Sequence, residues 1–444
     1  MTLMETGHDA EAVEILQPIA LDPDTALHFA NALLRLTRST EALAVYDRVL
    51  TLAREQAAVL DRRAIALLDL DRCEEALASI DRALALRPDM ESALGNRARI
   101  LMALGRHAEA VAWLERAVVV HPDDVGLNVN LGMARLLLGD FERGSRHYEW
   151  RWRLPGMRPF LPDGGDRLWL GEGDLAGETI ILYADQGLGD TIQFARYARL
   201  VAAKGASVVL FVQAPLLRLL HGLEGVDRLL TAGDDVPAFD FYCPLLSLPL
   251  ACGTRLESIP ALRRYIEPDP VLVAAWTDRL GPKARPRVGV FWSSTSTDRL
   301  LRKRAIPLAR FARIFRSDIE FCVVQKDIAE TDRAVLAACP SVIDLSAGLT
   351  DFAETAAAIE TMDLIVTVDA SVAHLADAMG KPVWILLHSD PDWRWLLGRD
   401  DSPWYPTARL FRQSSTGDWE GVLERVAAAL ACFGEDAGLC PPGC

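Results

Sequence analysis

Positive charge is in short supply in this sequence relative to negative. Its 47 Lys and Arg face 62 Asp and Glu, a formal net charge of −15 over 444 residues. A nucleic-acid binder normally carries a basic stripe, so that class is set aside. Long apolar runs are missing as well. No stretch approaches the roughly 20 residues a membrane helix needs, and no membrane span is expected. The opening MTLMETGHDAEAVEIL lacks a basic start followed by an apolar core, so no secretory signal is expected. The 8 cysteines are scattered, mostly in apolar segments, which suits reduced, buried thiols in the cytoplasm. Cys440 and Cys444 sit close together in GLCPPGC without ligand partners, and a loose tail is expected there. Neither H-E-x-x-H nor paired C-x-x-C spacing occurs, so no metal and no cofactor is called for.

What is present is enough for a large core. Half of the residues are hydrophobic, and the length implies two or three domains. The first third repeats itself. Ala30, Ala64, Ala98 and Gly132 are evenly phased, and so are Ala42, Ala76, Ala110 and Gly144. Pro88 and Pro122 keep the same spacing, as do Ala83 and Ala117. Small residues at fixed positions let paired helices approach closely, and proline stops the second helix of each pair. This pattern resembles the tetratricopeptide repeat, with its helix pairs stacked into an array. Residues 1–153 are assigned to it. Such an array presents a face to a protein partner; a spacer or dimerisation arm is the plainer alternative. In the last unit Arg151 stands where a small residue is expected. Trp150, Trp152, Arg151 and Arg153 in YEWRWR are expected to form a joint with the next domain. Residues 154–177, rich in proline and glycine, read as a linker.

Beyond this the pattern changes. TIILYA, SVVLFV, RVGVFW, EFCVVQ, DLIVTV and PVWILL are short β-branched or aromatic runs, most of them separated by helix-length segments. Buried parallel strands read this way, and their alternation with helices implies doubly wound α/β sheets. Two lobes are expected, 178–268 and 285–433, joined by a linker at 269–284. Residues 434–444 form a tail. The last helix, DWEGVLERVAAALACF, is expected to pack back on the first lobe. Ligands of open α/β sheets bind beyond the carboxyl ends of strands, which places the site in the cleft between lobes.

Four segments could carry chemistry there. In YADQGLGDTIQF a strand runs into Gly187, Gly189 and Asp190 and then a helix containing Gln193. The glycines allow a tight turn and close approach to a ligand, but the third glycine of a dinucleotide fingerprint is missing. On local grounds Asp190 reads as a helix cap ahead of a functional carboxylate. In DLIVTVDASVAHLADAMGKPV a strand ends at Asp369, followed by Ser371 and His374. A core histidine is the plain reading of His374 alone; two polar neighbours at a strand–helix corner favour a donor site. In VGVFWSSTSTDRLLRKRAIP, Ser293, Ser294 and Thr295 offer hydroxyls to a phosphate, and Arg302, Lys303 and Arg304 offer charge. Gln325 and Lys326, after EFCVV, join the donor-binding candidates. In HSDPDWRWLLGRDDSPWYP the Asp390–Asp392 pair reads as a turn rather than a metal-binding D-x-D, within a rigid aromatic loop.

GLGDTIQF together with DLIVTVDASVAHLADAMGKPV resembles the bacterial heptosyltransferase-like glycosyltransferases of the GT-B fold. The whole layout is similar to bacterial proteins that join tetratricopeptide repeats to such a domain, flagellin glycosyltransferases among them. The resemblance implies inverting, metal-independent transfer from a nucleotide sugar, with Asp190 as general base and Asp369 holding the donor. It implies donor-phosphate contact by Arg304, with Lys303 beside it. The repeats would recruit a protein acceptor; a glycan or lipid-linked acceptor, or a non-catalytic scaffold, are the alternatives. Ala370-Ser371 and Ala373 depart from the residues common in heptosyltransferases, which counts against an ADP-heptose donor.

Overall fold

A computed structural model of the chain describes residues 9–16, 23–52, 56–154, 157, 167–293 and 303–433. The chain divides into two compact units, Met1–Leu138 with Arg143–Arg158 and Gly139–Glu142 with Pro159–Cys444. None of the described helices is long and apolar enough to cross a membrane.

The first unit is helical. Among the described residues its helices are α1 (Asp9–Leu16), α2 (Pro23–Arg35), α3 (Ser39–Leu52), α4 (Ala57–Asp69), α5 (Cys73–Leu86), α6 (Glu91–Ala103), α7 (His107–Val120) and α8 (Val125–Leu137). A ninth, α9 (Phe141–Tyr148), runs on from the boundary between the units. Each helix from α1 to α8 packs on the next. The phased small residues are the contact points: Ala30, Ala64, Ala98, Ala42, Ala76 and Ala110 are fully buried. The switch from alanine to glycine in the last unit has a steric cause. A Cβ on Gly132 would lie 2.6 Å from the Tyr148 backbone nitrogen, and one on Gly144 would lie 2.9 Å from that of Leu136. Backbones this close leave no room for a methyl group.

A further phased feature went unnoticed in the sequence. Arg38–Glu41, Arg72–Glu75 and Arg106–Glu109 form equivalent ion pairs at the start of α3, α5 and α7. They are exposed and add little to stability. Arg151, the departure from the small-residue pattern, has local partners. It is buried within the repeat unit, bonded to Glu149 at 2.5 Å and set over the rings of Tyr148 and Trp152. The turn that carries it packs on α8.

The second unit holds two parallel sheets. The first runs β3-β2-β1-β4, with β1 (Thr179–Tyr183), β2 (Ser207–Phe211), β3 (Arg228–Leu230) and β4 (Phe241–Pro244). The second runs β10-β9-β8-β5-β6-β7, with β5 (Arg287–Phe291), β6 (Glu320–Val323), β7 (Ile343–Asp344), β8 (Leu364–Val368), β9 (Val383–Leu387) and β10 (Ala408–Arg412). Their helices are α10 (Leu188–Phe194), α11 (Ala198–Ala202), α12 (Leu248–Ala251), α13 (Pro270–Leu280), α14 (Leu308–Phe311), α15 (Glu330–Ala337), α16 (Phe352–Glu360), α17 (Ser371–Ala378) and α18 (Trp419–Phe433). β5, β8 and β9 are buried along their whole length, which is why they read as unbroken apolar runs.

Three expectations change. The stretch assigned to the linker at 154–177 ends inside the first sheet: Leu168 bridges to Tyr242, and Trp169 is buried. The stretch assigned to the inter-lobe linker at 269–284 contains α13. Asp269 caps its first turn, and Trp276 donates to Glu354 of α16 at 2.9 Å. The closing helix α18 packs on the second sheet, not the first. It lies against β10 and the turn Ala312–Ile314, where Arg313 bonds Glu420.

The strand orders reverse between β1 and β4 and between β5 and β8. Crevices open at such reversals, beyond the strand ends. The loops after β1, β5 and β8 carry the residues singled out above.

Candidate active site between the two sheets

Asp190 does cap its helix. Its Oδ2 accepts the Gly187 N–H at 2.9 Å, the carboxylate reaching back one turn to an otherwise unpaired amide. Neither Gly187 nor Gly189 adopts a left-handed backbone. The space at Gly189 is needed for another reason. A Cβ there would lie 2.8 Å from His374 Cδ2 and 3.3 Å from Ser371 Cα. Glycine therefore lets α10 and α17, from opposite sheets, pack start to start. That juxtaposition brings the loop after β1 to the loop after β8.

A residue that the sequence reading did not select completes the site. Arg394, in the turn Trp393–Trp395, is buried and reaches across to the first sheet's helix. Its Nη2 donates to Asp190 Oδ1 at 2.5 Å and its Nε to Gln193 Oε1 at 2.9 Å. Its Nη1 donates to Asp392 Oδ1 at 2.7 Å, and its guanidinium lies 4.5 Å from the Trp393 ring centre. Asp392 is 3.6 Å from Arg304, and Arg304 is 3.0 Å from Asp369. Alternating charges thus run from Asp190 through Arg394, Asp392 and Arg304 to Asp369. Burial pushes Asp392 up, but Arg394 and Arg304 outweigh it and hold the carboxyl below its ordinary range. Burial wins at Asp369, which is pushed up although Arg304 is beside it. The D-P-D turn reading agrees with the geometry: Asp392 accepts the Arg394 N–H at 3.1 Å.

A second arginine crosses the other way. Arg196, buried in the first lobe's helical segment, donates to Trp404 O at 2.6 Å and Tyr265 OH at 3.1 Å. The faces of Tyr405 and Tyr265 lie 4.5 and 4.8 Å away. Arg394 and Arg196 together clamp the two sheets.

His374 follows the plainer reading. It is buried, its Nδ1 lies 2.6 Å from Tyr405 OH, and its ring stacks on Trp395. Burial, reinforced by Arg394, pushes its pKa down to about 3, so the ring is neutral and brings no charge to a phosphate. The sign of the consequence is fixed. The unfolded chain binds this proton near the ordinary 6.5, the folded chain does not, and stability falls as pH drops below that value. Between pH 6.5 and 5.5 the loss reaches about 1 kcal/mol. His374→Gln is expected to remove that slope, as read by urea denaturation of both proteins across the range.

The remaining candidates separate. Gln325 is buried, its Oε1 taking the N–H groups of Trp292 and Ser293 at 3.2 and 3.1 Å, so it fixes the loop after β5. Lys326 donates to Thr350 O at 2.9 Å. Ser371 lies at the start of α17 against Gly189, and Lys303 precedes Arg304. Ser294, Thr295 and Arg302 lie outside the described residues, as do Cys440 and Cys444. Gln193, expected near the donor, serves Arg394 instead, and its buried Nε2 has no partner among the described residues.

Comparison with known proteins gives matches at both ends of the chain. The tetratricopeptide repeat model matches residues 62–125, and the glycosyltransferase family 9 (heptosyltransferase) model matches residues 308–394. The protein FlbA of Caulobacter vibrioides is 27% identical over 312 residues, covering 64% of this chain and 49% of its own. The chain therefore spans about half the length of that curated relative. A family 9 glycosyl transferase from Veillonella parvula aligns over 59% of this chain and 98% of its own, with 12% identity and a TM-score of 0.44. MamA from Desulfovibrio magneticus aligns over 35% and 92%, with 20% identity and a TM-score of 0.31.

Proposed function

We propose, from a chain that joins tetratricopeptide repeats to a glycosyltransferase family 9 domain, that the protein transfers a sugar from a nucleotide sugar to an acceptor hydroxyl. The observation that supports this reading is the packing of α10 against α17, which brings the loop carrying Asp190 to the loop carrying Asp369, with Arg304 3.0 Å from Asp369.

Asp190 is the base. Its oxygens already accept from Gly187 and Arg394, but an ionised carboxylate offers about four acceptor positions, and this side chain is 21% exposed. The acceptor oxygen attacks the anomeric carbon as its proton passes to Asp190. The bond to the diphosphate breaks on the opposite face, its electron pair leaving with the nucleotide. Arg304 balances the diphosphate charge. A single displacement inverts the anomeric centre, and no metal is assigned a part. The acceptor is a protein hydroxyl in the cytoplasm, brought to the site by the repeats.

A thermal-shift screen of nucleotide sugars on the full chain tests this. One sugar nucleotide should raise the melting temperature by several degrees through preferential binding to the folded state. Silence across the panel would discard transfer and leave a repeat scaffold, a reading that draws on the clamp role of the Asp190–Arg394 pair.

A further inference from the structure

A cavity of about 1150 Å³ lies at the opposite end of the second sheet, between the amino ends of β5, β8 and β9 and the last turns of α18. It is separate from the site above. Leu364, which lines it, opens β8, whereas Asp369 follows the end of that strand, about 16 Å further along. The volume is slightly above the roughly 300–1,000 Å³ usual for a small-molecule site, so a small molecule fits within it.

Its body is apolar and aromatic. Trp384, Phe411 and Phe433 form one wall, with Trp384 and Phe411 ring centres 5.3 Å apart. Leu364, Pro382 and Ala428 continue it. Its charge is opposite to that of the chain as a whole. Lys283, Arg285, Arg409, Arg412 and Arg425 line it against two carboxylates, Asp363 and Asp400, an excess of three cations in a protein of net charge −15. Asp363 is already committed, to Lys283 at 2.7 Å and to the Arg287 N–H at 2.8 Å. Arg285 and Arg425 bond the carbonyls of Ser317 and Arg412, which carry no full charge. Burial lowers Arg412 to about 10.

We infer that this cavity binds an amphipathic anion, a small molecule with an apolar or aromatic body and a carboxylate, sulfonate or phosphate at the basic rim. The aromatic wall takes the body, and Arg285 with Arg425 takes the charge. The inference is independent of the proposed transfer, since the site faces away from the Asp190 crevice.

The probe is 8-anilinonaphthalene-1-sulfonate on the native full chain, with its uncharged analogue N-phenyl-1-naphthylamine as the control. Saturable fluorescence enhancement at one site is expected, with the uncharged analogue bound about tenfold more weakly. Ala428→Trp fills the cavity from an exposed helix position and should abolish binding without changing the circular dichroism. Arg285→Glu with Arg425→Glu should weaken the sulfonate at least tenfold and leave the neutral analogue unchanged. Unaltered binding in the Ala428→Trp protein would place the dye elsewhere and overturn the site. Equal affinity for both dyes would overturn its anion preference.

Discussion

Asp190→Asn is expected to lower kcat by about 10²–10⁴-fold, the usual contribution of a positioned general base. The substitution keeps one carbonyl oxygen that can still accept from Arg394 or Gly187, so the helix start and the sheet contact persist in weakened form. Nucleotide binding should stay within about threefold of wild type, because Arg304 and Asp369 are untouched. This separation between lost turnover and retained binding is the signature of a proton acceptor. A protein in which Asp190 only capped the helix would lose about 1 kcal/mol of stability and keep its rate. Steady-state kinetics with the donor found by thermal shift, alongside calorimetric titration of the same nucleotide, distinguishes the two.

Arg394→Ala should have the larger effect on the fold, at about 3 kcal/mol. The guanidinium is 7% exposed and is shared by Asp190, Asp392 and Gln193. Removing it leaves two carboxylates and a buried amide without their donor, and strips the cation from the Trp393 ring. Turnover should fall as well, since Asp190 loses the group that orients it. Arg394→Lys retains the charge but not the three-way fork, and should recover part of the stability and less of the rate. Urea denaturation reads the first and kcat the second. An Arg394→Ala protein as stable as wild type would mean that the two sheets are not clamped through this residue.

The repeat array was legible because a fixed period imposes itself on many residues at once. Why the last unit has glycine in place of alanine was not readable, because it depends on backbone distances to Tyr148 and Leu136. The six named strand runs were legible because buried parallel strands carry few polar interruptions. β3 and β7 were not, being three and two residues long, nor was β4, four residues that end in Pro244. β10 was missed because Arg409 and Arg412 interrupt the apolar run in ARLFR, a strand at the sheet edge. The position of α18 was misjudged because an amphipathic helix does not say which sheet it covers; Glu420 and its arginine partners decide that.

Within the site, the corners at Asp190 and Asp369 stood out because a polar residue at a strand end beside a helix start is a local pattern. Arg394 did not, because its meaning depends on a partner 204 residues away. The one available signal was an arginine held between two tryptophans in WRW, a charge too well enclosed for a surface loop. Gln325 looked like a ligand group for the same reason that it sits where it does. A buried amide at a strand end can serve a loop as well as a substrate, and only the bonds to Trp292 and Ser293 choose between them.

The most direct measurement is a crystal structure of the full chain with the nucleotide sugar selected by thermal shift. The account predicts diphosphate oxygens within hydrogen-bond reach of the Arg304 guanidinium and the sugar turned toward the free edge of the Asp190 carboxylate. A nucleotide seated elsewhere, or one at Arg304 with its sugar turned away from Asp190, would contradict it.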